Sequence, residues 1–154
     1  MFAETAMADS NALETLLELA AKEAGQQAVH LGVAMRSHQE QADKLTLLIQ
    51  YRNDYALRYQ QHLNQGVDIR HQQNFREFLI RLDDAIDGQQ RLVQQAEQQV
   101  NHQQKCWQTA ECKRLSFHTL IERRHVERQH AENRQEQRNS DEFAARRYAI
   151  HRTD

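Results

Sequence analysis

The chain contains no proline and only four glycines in 154 residues. Proline is the residue that breaks or kinks helices, so long uninterrupted helices are open to this sequence, and the usual markers of turns and loops are scarce. Aromatic residues make up 6% and apolar residues 39% of the chain, and the mean hydropathy is -0.93. Many of the apolar residues are alanines, which excludes a thick globular core. Disorder is the other outcome of such polarity, but disordered chains are rich in proline, serine and glycine and lack periodic apolar positions. Here the polar filler is glutamine, 22 residues of it, set between periodic apolar residues.

Long apolar runs are missing too. Nowhere do 18 apolar residues follow one another, and the opening "MFAETAMADS" has neither a basic region nor a sustained apolar run. Neither a membrane span nor a secretory leader is expected, and the chain reads as soluble and cytoplasmic. Two cysteines, Cys106 and Cys112, stand six apart, a spacing that suits neither a CxxC redox pair nor a four-ligand zinc site. They read as reduced, inert thiols. Nine histidines are dispersed without an HExxH motif. His118 lies six beyond Cys112, but six residues turn a helix through about 600°, so these three groups share no face. No metal and no cofactor is expected.

Two heptad runs are present. In the first, a positions fall on Ala21, Ala28, Met35, Ala42, Ile49, Ala56 and Leu63, with d positions Leu17, Ala24, Leu31, His38, Leu45, Arg52 and Tyr59. In the second, a positions fall on Leu79, Ile86, Val93, Val100, Trp107, Arg114 and Ile121, with d positions Phe75, Leu82, Gln89, Ala96, Gln103, Ala110 and Phe117. This is the pattern of a coiled-coil seam. His38 at a d position reads as a polar residue that sets register.

Between the runs, "NQGVDIRHQQ" at 64–73 breaks both registers. Asn-x-x-Glu pairs at Asn11 and Glu14 and at Asn74 and Glu77 resemble capping boxes and predict helix starts at both places. The expectation is an all-α fold of a single domain, residues 1–154. Helix one spans about 11–63 and helix two about 74–147, joined by a turn near 64–74. At 1.5 Å per residue the helices are roughly 80 Å and roughly 110 Å long, and they fold back as an antiparallel coiled-coil hairpin with the second helix projecting. Gly88 lies in phase with the heptads and reads as a tolerated helix glycine.

A two-helix hairpin offers no concave, water-poor pocket in which to shift a pKa or hold a transition state, so no enzyme is expected. Residues 101–154 hold 11 basic and 8 acidic groups, net +3, against -3 for 1–63 and -2 for 64–100. Many stand four apart, as Arg123 with Glu127, Arg128 with Glu132 and Arg138 with Glu142, the habit of a solvated helix. No dense footprint of one sign is present, so nucleic acid is not an expected partner.

Three of the four tyrosines, Tyr51, Tyr55 and Tyr59, crowd into "LLIQYRNDYALRYQQHL" at 47–63. Spaced four apart, each lies about 40° further round the helix than the last. By the heptads only Tyr59 is in the seam. Tyr55 joins Leu48 at g, and Tyr51 at c faces outward. On the second helix Phe78, Ala85 and Leu92 are also at g. An apolar and aromatic surplus near the turn, on an otherwise glutamine-rich surface, predicts a partner site.

The segments "LLIQYRNDY" at 47–55, "NFREFLIRLDDAI" at 74–86 and "DEFAARR" at 141–147 resemble, in order, spacing and chain length, the FliJ family of the bacterial flagellar type III export apparatus. The resemblance covers nearly the full chain. It implies a non-enzymatic, cytoplasmic coiled-coil stalk whose helix ends enter the hexameric flagellar export ATPase ring. It also implies contact with the cytoplasmic part of the export-gate membrane protein, escort of export chaperones, and a place at the flagellar base, peripheral to the inner membrane through protein partners. The family's gate-binding surface falls here on Leu48, Tyr51, Tyr55, Phe78, Leu82 and Ala85. Lys44 and Gln89 depart from the family's pattern, so neither is carried over. The ring-entering end implied is the first turns of helix one with "NSDEFAARRYAI" at 139–150. Composition and periodicity alone specify only a helical-hairpin interaction protein. The alternatives to the flagellar reading are the equivalent stalk of an injectisome ATPase and a self-assembling coiled-coil scaffold.

Overall fold

The computed structural model describes the backbone of residues 2–66 and 68–151, and the side chains of residues 11–66 and 68–148. Two helices account for nearly all of this: α1, Phe2–Leu63, and α2, Ile69–His151. They pack against each other as an all-α helical hairpin, the class that proline-free heptads require.

α1 ends where the first heptad run ends. The Gln65 amide donates to the His62 carbonyl at 3.0 Å and the Gly66 amide to the Leu63 carbonyl at 3.4 Å. Gly66 has φ +79°, a left-handed backbone that glycine adopts without a Cβ clash and that commonly closes a helix. α2 opens at Asp68, whose carbonyl accepts from the amides of His71 at 3.0 Å and Gln72 at 3.2 Å. The connection is therefore shorter than the expected turn at 64–74.

Both expected helix starts are overturned. Asn74 and Glu77 lie inside α2, and Asn11 and Glu14 lie inside α1, where the Asn11 carbonyl accepts from Thr15 Oγ1 at 2.9 Å. A cap motif is a local preference of about 1 kcal/mol. It does not stop a helix when the preceding residues contain no breaker, because each added residue gains a backbone hydrogen bond at little cost once the helix is nucleated. Gly88 lies within α2 as expected.

The chain forms two compact units, Ala24–Thr109, and Met1–Glu23 with Ala110–Asp154. In the first, α1 and α2 run antiparallel from the turn. Cross-helix partners step away from it in opposite chain directions: Tyr59 with Phe75, Arg52 with Asp83, and Gln41 with Gln89. In the second, Glu23 Oε2 accepts from Lys113 Nζ at 3.3 Å.

The α2 seam is the expected one. Every a and d position from Phe75 to Ile121 is buried or half-buried. On α1 the d positions are likewise buried or half-buried, but the expected a column is not the other half of the seam. Ala21, Ala28, Met35, Ile49 and Leu63 are exposed and only Ala42 and Ala56 are half-buried, whereas Ala20, Gln27, Ala34, Gln41, Leu48 and Tyr55, one residue earlier in each heptad, all turn inward. Three residues turn a helix about 60° to one side of a seam position and four turn it about 40° to the other, so periodicity allowed both. Aromatic packing near the turn favours the observed side, since it places Tyr55 against Phe75 and Phe78.

Following that side in strict heptads carries Gln41 into the seam. Gln89 Nε2 satisfies it, donating to the Gln41 backbone carbonyl and to its Oε1, each at 2.9 Å. The core remains thin. Among the described residues those most enclosed are Ala20, Ala24, Ala34, Ala110 and Leu82, and alanine buries little apolar area.

Charge pairing on the distal part of α2 differs from the expectation. The expected pairs of Arg123, Arg128 and Arg138 with the glutamates four residues on do not close to 4 Å among the described residues. Glu142 pairs instead with Arg146, at 3.9 Å, and acid before base is the order that the helix favours. The sulfur of Cys106 lies 3.7 Å from His102 Nε2, and both cysteines are free thiols. Among the described residues no group of three or more metal-ligating side chains comes together, and no helix is long and apolar enough to cross a membrane.

Candidate partner-binding site

The six residues expected to form the partner surface all lie in the Ala24–Thr109 unit, on the first turns of each helix away from the connection. Tyr51, Tyr55 and Tyr59 descend α1 with a 40° drift, and Phe75 and Phe78, three apart on α2, face the same side. The result is a chain of five rings. Phe75 is held between two tyrosines, with ring centroids 4.1 Å from Tyr55 and 4.1 Å from Tyr59, the planes within 11° and 18° of parallel. Phe78 tilts against Tyr55 at 4.5 Å. Tyr51 closes the chain, edge-on to Phe78 and stacked on Tyr55, each at 6.4 Å. Such offset and edge-to-face geometries match the ring quadrupoles and contribute about 0.5–1.5 kcal/mol per pair beyond burial.

The six residues divide by depth. Leu82 is buried, and Leu48, Tyr55 and Phe78 are half-buried, while Tyr51 and Ala85 are exposed. Leu48 and Tyr55 therefore belong to the interhelical seam, against the expectation that both stood outside it. What faces solvent is the Tyr51 ring, 53% exposed, the accessible edge of Phe78, and Ala85 one heptad further along α2. The inner residues fix the rotamer and position of the outer ones.

Phe75 and Tyr59 hold the cluster together although neither was among the six. The signal for them was in the sequence, as d positions opposite one another near the turn. Gln89 acts across the helices through Gln41. Lys44 is exposed one heptad before Tyr51, so it borders the same surface with a cation. Exposed Leu47, four residues before Tyr51 and about 40° round the helix from it, borders the same surface, whereas exposed Ile80 lies on another face of α2; neither was singled out by heptad position.

Electrostatics in the unit are mild. Arg52 Nε donates to Asp83 Oδ1 at 3.0 Å across the hairpin, with both side chains largely solvated. In the other unit, Arg114 holds Glu111 through three donor–acceptor contacts, the shortest 2.6 Å from Nη2 to Oε1. That hydrogen bonding lowers the Glu111 pKa and raises that of Arg114. Arg114 occupies a half-buried a position of α2, and Glu111, three residues before it, balances its charge there.

The sequence profile of the Flagellar FliJ protein family matches residues 9–153. The chain is 33% identical over 140 residues to the Flagellar FliJ protein of Salmonella typhi, covering 91% of this chain and 95% of that one. It is 32% identical over 140 residues to the Flagellar FliJ protein of Escherichia coli strain K12, with the same coverage. A match that runs through both helices and the turn, with two such relatives, shows that the chain belongs to the FliJ family.

Proposed function

We propose that the chain is a stalk of the flagellar export apparatus that binds the hexameric export ATPase and the cytoplasmic part of the export-gate membrane protein, coupling one to the other. Membership of the family makes it a non-enzymatic flagellar export component. The finer assignment of partners rests on the aromatic cluster and on the family resemblance. The carrying observation is Tyr51, an exposed ring supported from beneath by Phe78 and Tyr55. A rigid, half-solvated aromatic on a polar surface presents apolar area at low entropic cost, which is the character of a binding hot spot.

In this reading the gate contact is made by Tyr51, Phe78 and Ala85, with Leu48, Tyr55 and Leu82 as their support. The ATPase contact is made by the first turns of α1 and the 139–150 segment of α2. Export chaperones are escorted as further protein partners, and the protein works in the cytoplasm, peripheral to the inner membrane at the flagellar base. The flagellar names of both relatives favour this over an injectisome stalk.

The test is a pull-down of the purified chain with the export ATPase and, separately, with the cytoplasmic gate fragment. Tyr51→Ala and Ala85→Arg are the probes, since both alter exposed side chains and leave the seam alone. Gate binding lowered at least about tenfold with ATPase binding kept is the expected outcome. Full gate binding by both well-folded variants sinks the assignment of this surface.

A further inference from the structure

α1 carries a second heptad stripe that its own hairpin leaves largely exposed, with only Gly32, Ala42 and Ala56 half-buried. From Gly25 to Leu63, in alternating steps of three and four residues, twelve positions run through Gly32, Met35, Ala42 and Ile49, and none is charged in a chain that is 27% charged. Met35 is 55% exposed, Ile49 38% and Leu63 40%. A Cβ placed on Gly25 or Gly32 meets nothing within 4 Å. The stripe lies wholly within the Ala24–Thr109 unit. It is not the aromatic surface, since Tyr51 is about 200° round the helix from Ile49.

We infer that this stripe is the seam of an antiparallel dimer, in which α1 packs against α1 of a second copy. Charge complementarity selects the occupant. The residues that flank the middle of the stripe are Arg36 and Asp43, opposite in sign and one heptad apart. Among the described residues Arg36 Nε donates to the Gly32 carbonyl, at 3.4 Å, and Asp43 Oδ1 accepts from the Gln39 amide at 2.8 Å. Neither is in an ion pair within 4 Å among the described residues. A twofold axis passing between them sets each Arg36 beside Asp43 of the second copy, twice per dimer, as a self-complementary interface must.

Side-chain volumes agree with the same axis. It places Gly32 across from Ile49 of the second copy, Met35 across from Thr46, and Gln39 across from Ala42, so that small residues meet large ones in successive layers. A parallel pairing sets like layers together, glycine on glycine at 32 and isoleucine on isoleucine at 49, leaving a gap at one layer and crowding at the other. The polar members of the stripe, Gln39 among them, fix the register. This inference goes beyond the proposed partners and does not depend on them.

The test is sedimentation equilibrium of the full chain over a wide concentration range at low salt. A dimer is expected, with the single reversals Arg36→Asp and Asp43→Arg each weakening it by about tenfold, because two ion pairs become two repulsions. The double reversal is expected to restore it to within about threefold, since the pairs re-form with their signs exchanged. Gly32→Leu is a second probe, expected to raise the thermal midpoint of the monomer while weakening the dimer, because it fills the space that Ile49 of the second copy needs. Tyr51→Ala is expected to leave the dimer unchanged. A monomer at all concentrations overturns the inference. So does a dimer that tolerates the single reversals, a double reversal that fails to restore it, or the discovery that this face binds another protein while the chain stays monomeric.

Discussion

Tyr55 lies face to face with Phe75, the ring centroids 4.1 Å apart and the planes within 11° of parallel. This contact crosses from α1 to α2 and, with Tyr59 stacked on the other side of the same phenylalanine, joins the two helices close to the turn. Tyr51, one turn along α1, meets this cluster at longer range, its ring centroid 6.4 Å from both Tyr55 and Phe78. One tyrosine is structural and the other is displayed.

The two tyrosines should therefore separate in their effects. Tyr55→Ala removes a half-buried ring with two close aromatic neighbours and is expected to lower stability by about 1–2 kcal/mol. Tyr51→Ala is expected to change it by less than about 0.5 kcal/mol. Urea unfolding followed by circular dichroism measures both. Equal losses would mean that Tyr51 shares the seam.

The glycines give a pair of opposite signs. Gly88 lies inside α2 with open space where a Cβ would be, so Gly88→Ala should stabilise by about 0.5–1 kcal/mol. Gly66 has open space too but a φ of +79°, so Gly66→Ala should destabilise by about 1 kcal/mol through backbone strain alone. Thermal midpoints of the two variants, one up and one down, check this. A rise in both would show that the turn is not held in the left-handed region.

Arg52 occupies a seam position yet pairs with Asp83 at 3.0 Å in a largely solvated setting. Exposed pairs contribute about 0–1 kcal/mol, and an apolar side chain at the same position covers neighbouring seam surface. Arg52→Leu is expected to leave stability equal or raised, by up to about 1 kcal/mol. A loss of 2 kcal/mol or more in chemical unfolding would show that the ion pair, rather than packing, sets the register here.

Glu111 supplies a pH dependence of known sign. Its carboxyl pKa is lowered by the hydrogen bond from Arg114, so the folded state holds the charged form more strongly than the unfolded chain does. That contribution is present above the ordinary carboxylate range and is lost as pH falls through the lowered pKa. Thermal melts taken between neutral and acid pH should show a steeper acid loss for the wild type than for Glu111→Gln. Parallel curves would remove the pair from the account.

Much of this architecture is legible in the sequence. Absent proline, heptads at both runs and a glycine between them specify two helices folded back at Gly66. The α2 seam follows directly, because Leu79, Ile86, Val93 and Val100 stand on one side of the d column and only Phe78, Ala85 and Leu92 compete. The helix starts misled because Asn11 and Asn74 are good caps in sequence, yet nothing upstream of either interrupts a helix already under way.

Sequence alone determined what each helix can bury at a period of seven: a d column, and beside it two apolar columns of nearly equal merit on α1. Which of those two turned inward was decided only in the folded hairpin. Positions three and four residues from a d residue lie at similar angles to either side of it, and no rule within one helix ranks them. The choice was made by what stands opposite. Phe75 and Phe78 draw Tyr55 into the seam, Gln89 meets Gln41 there, and Met35 and Ile49 of the other column are left on the surface.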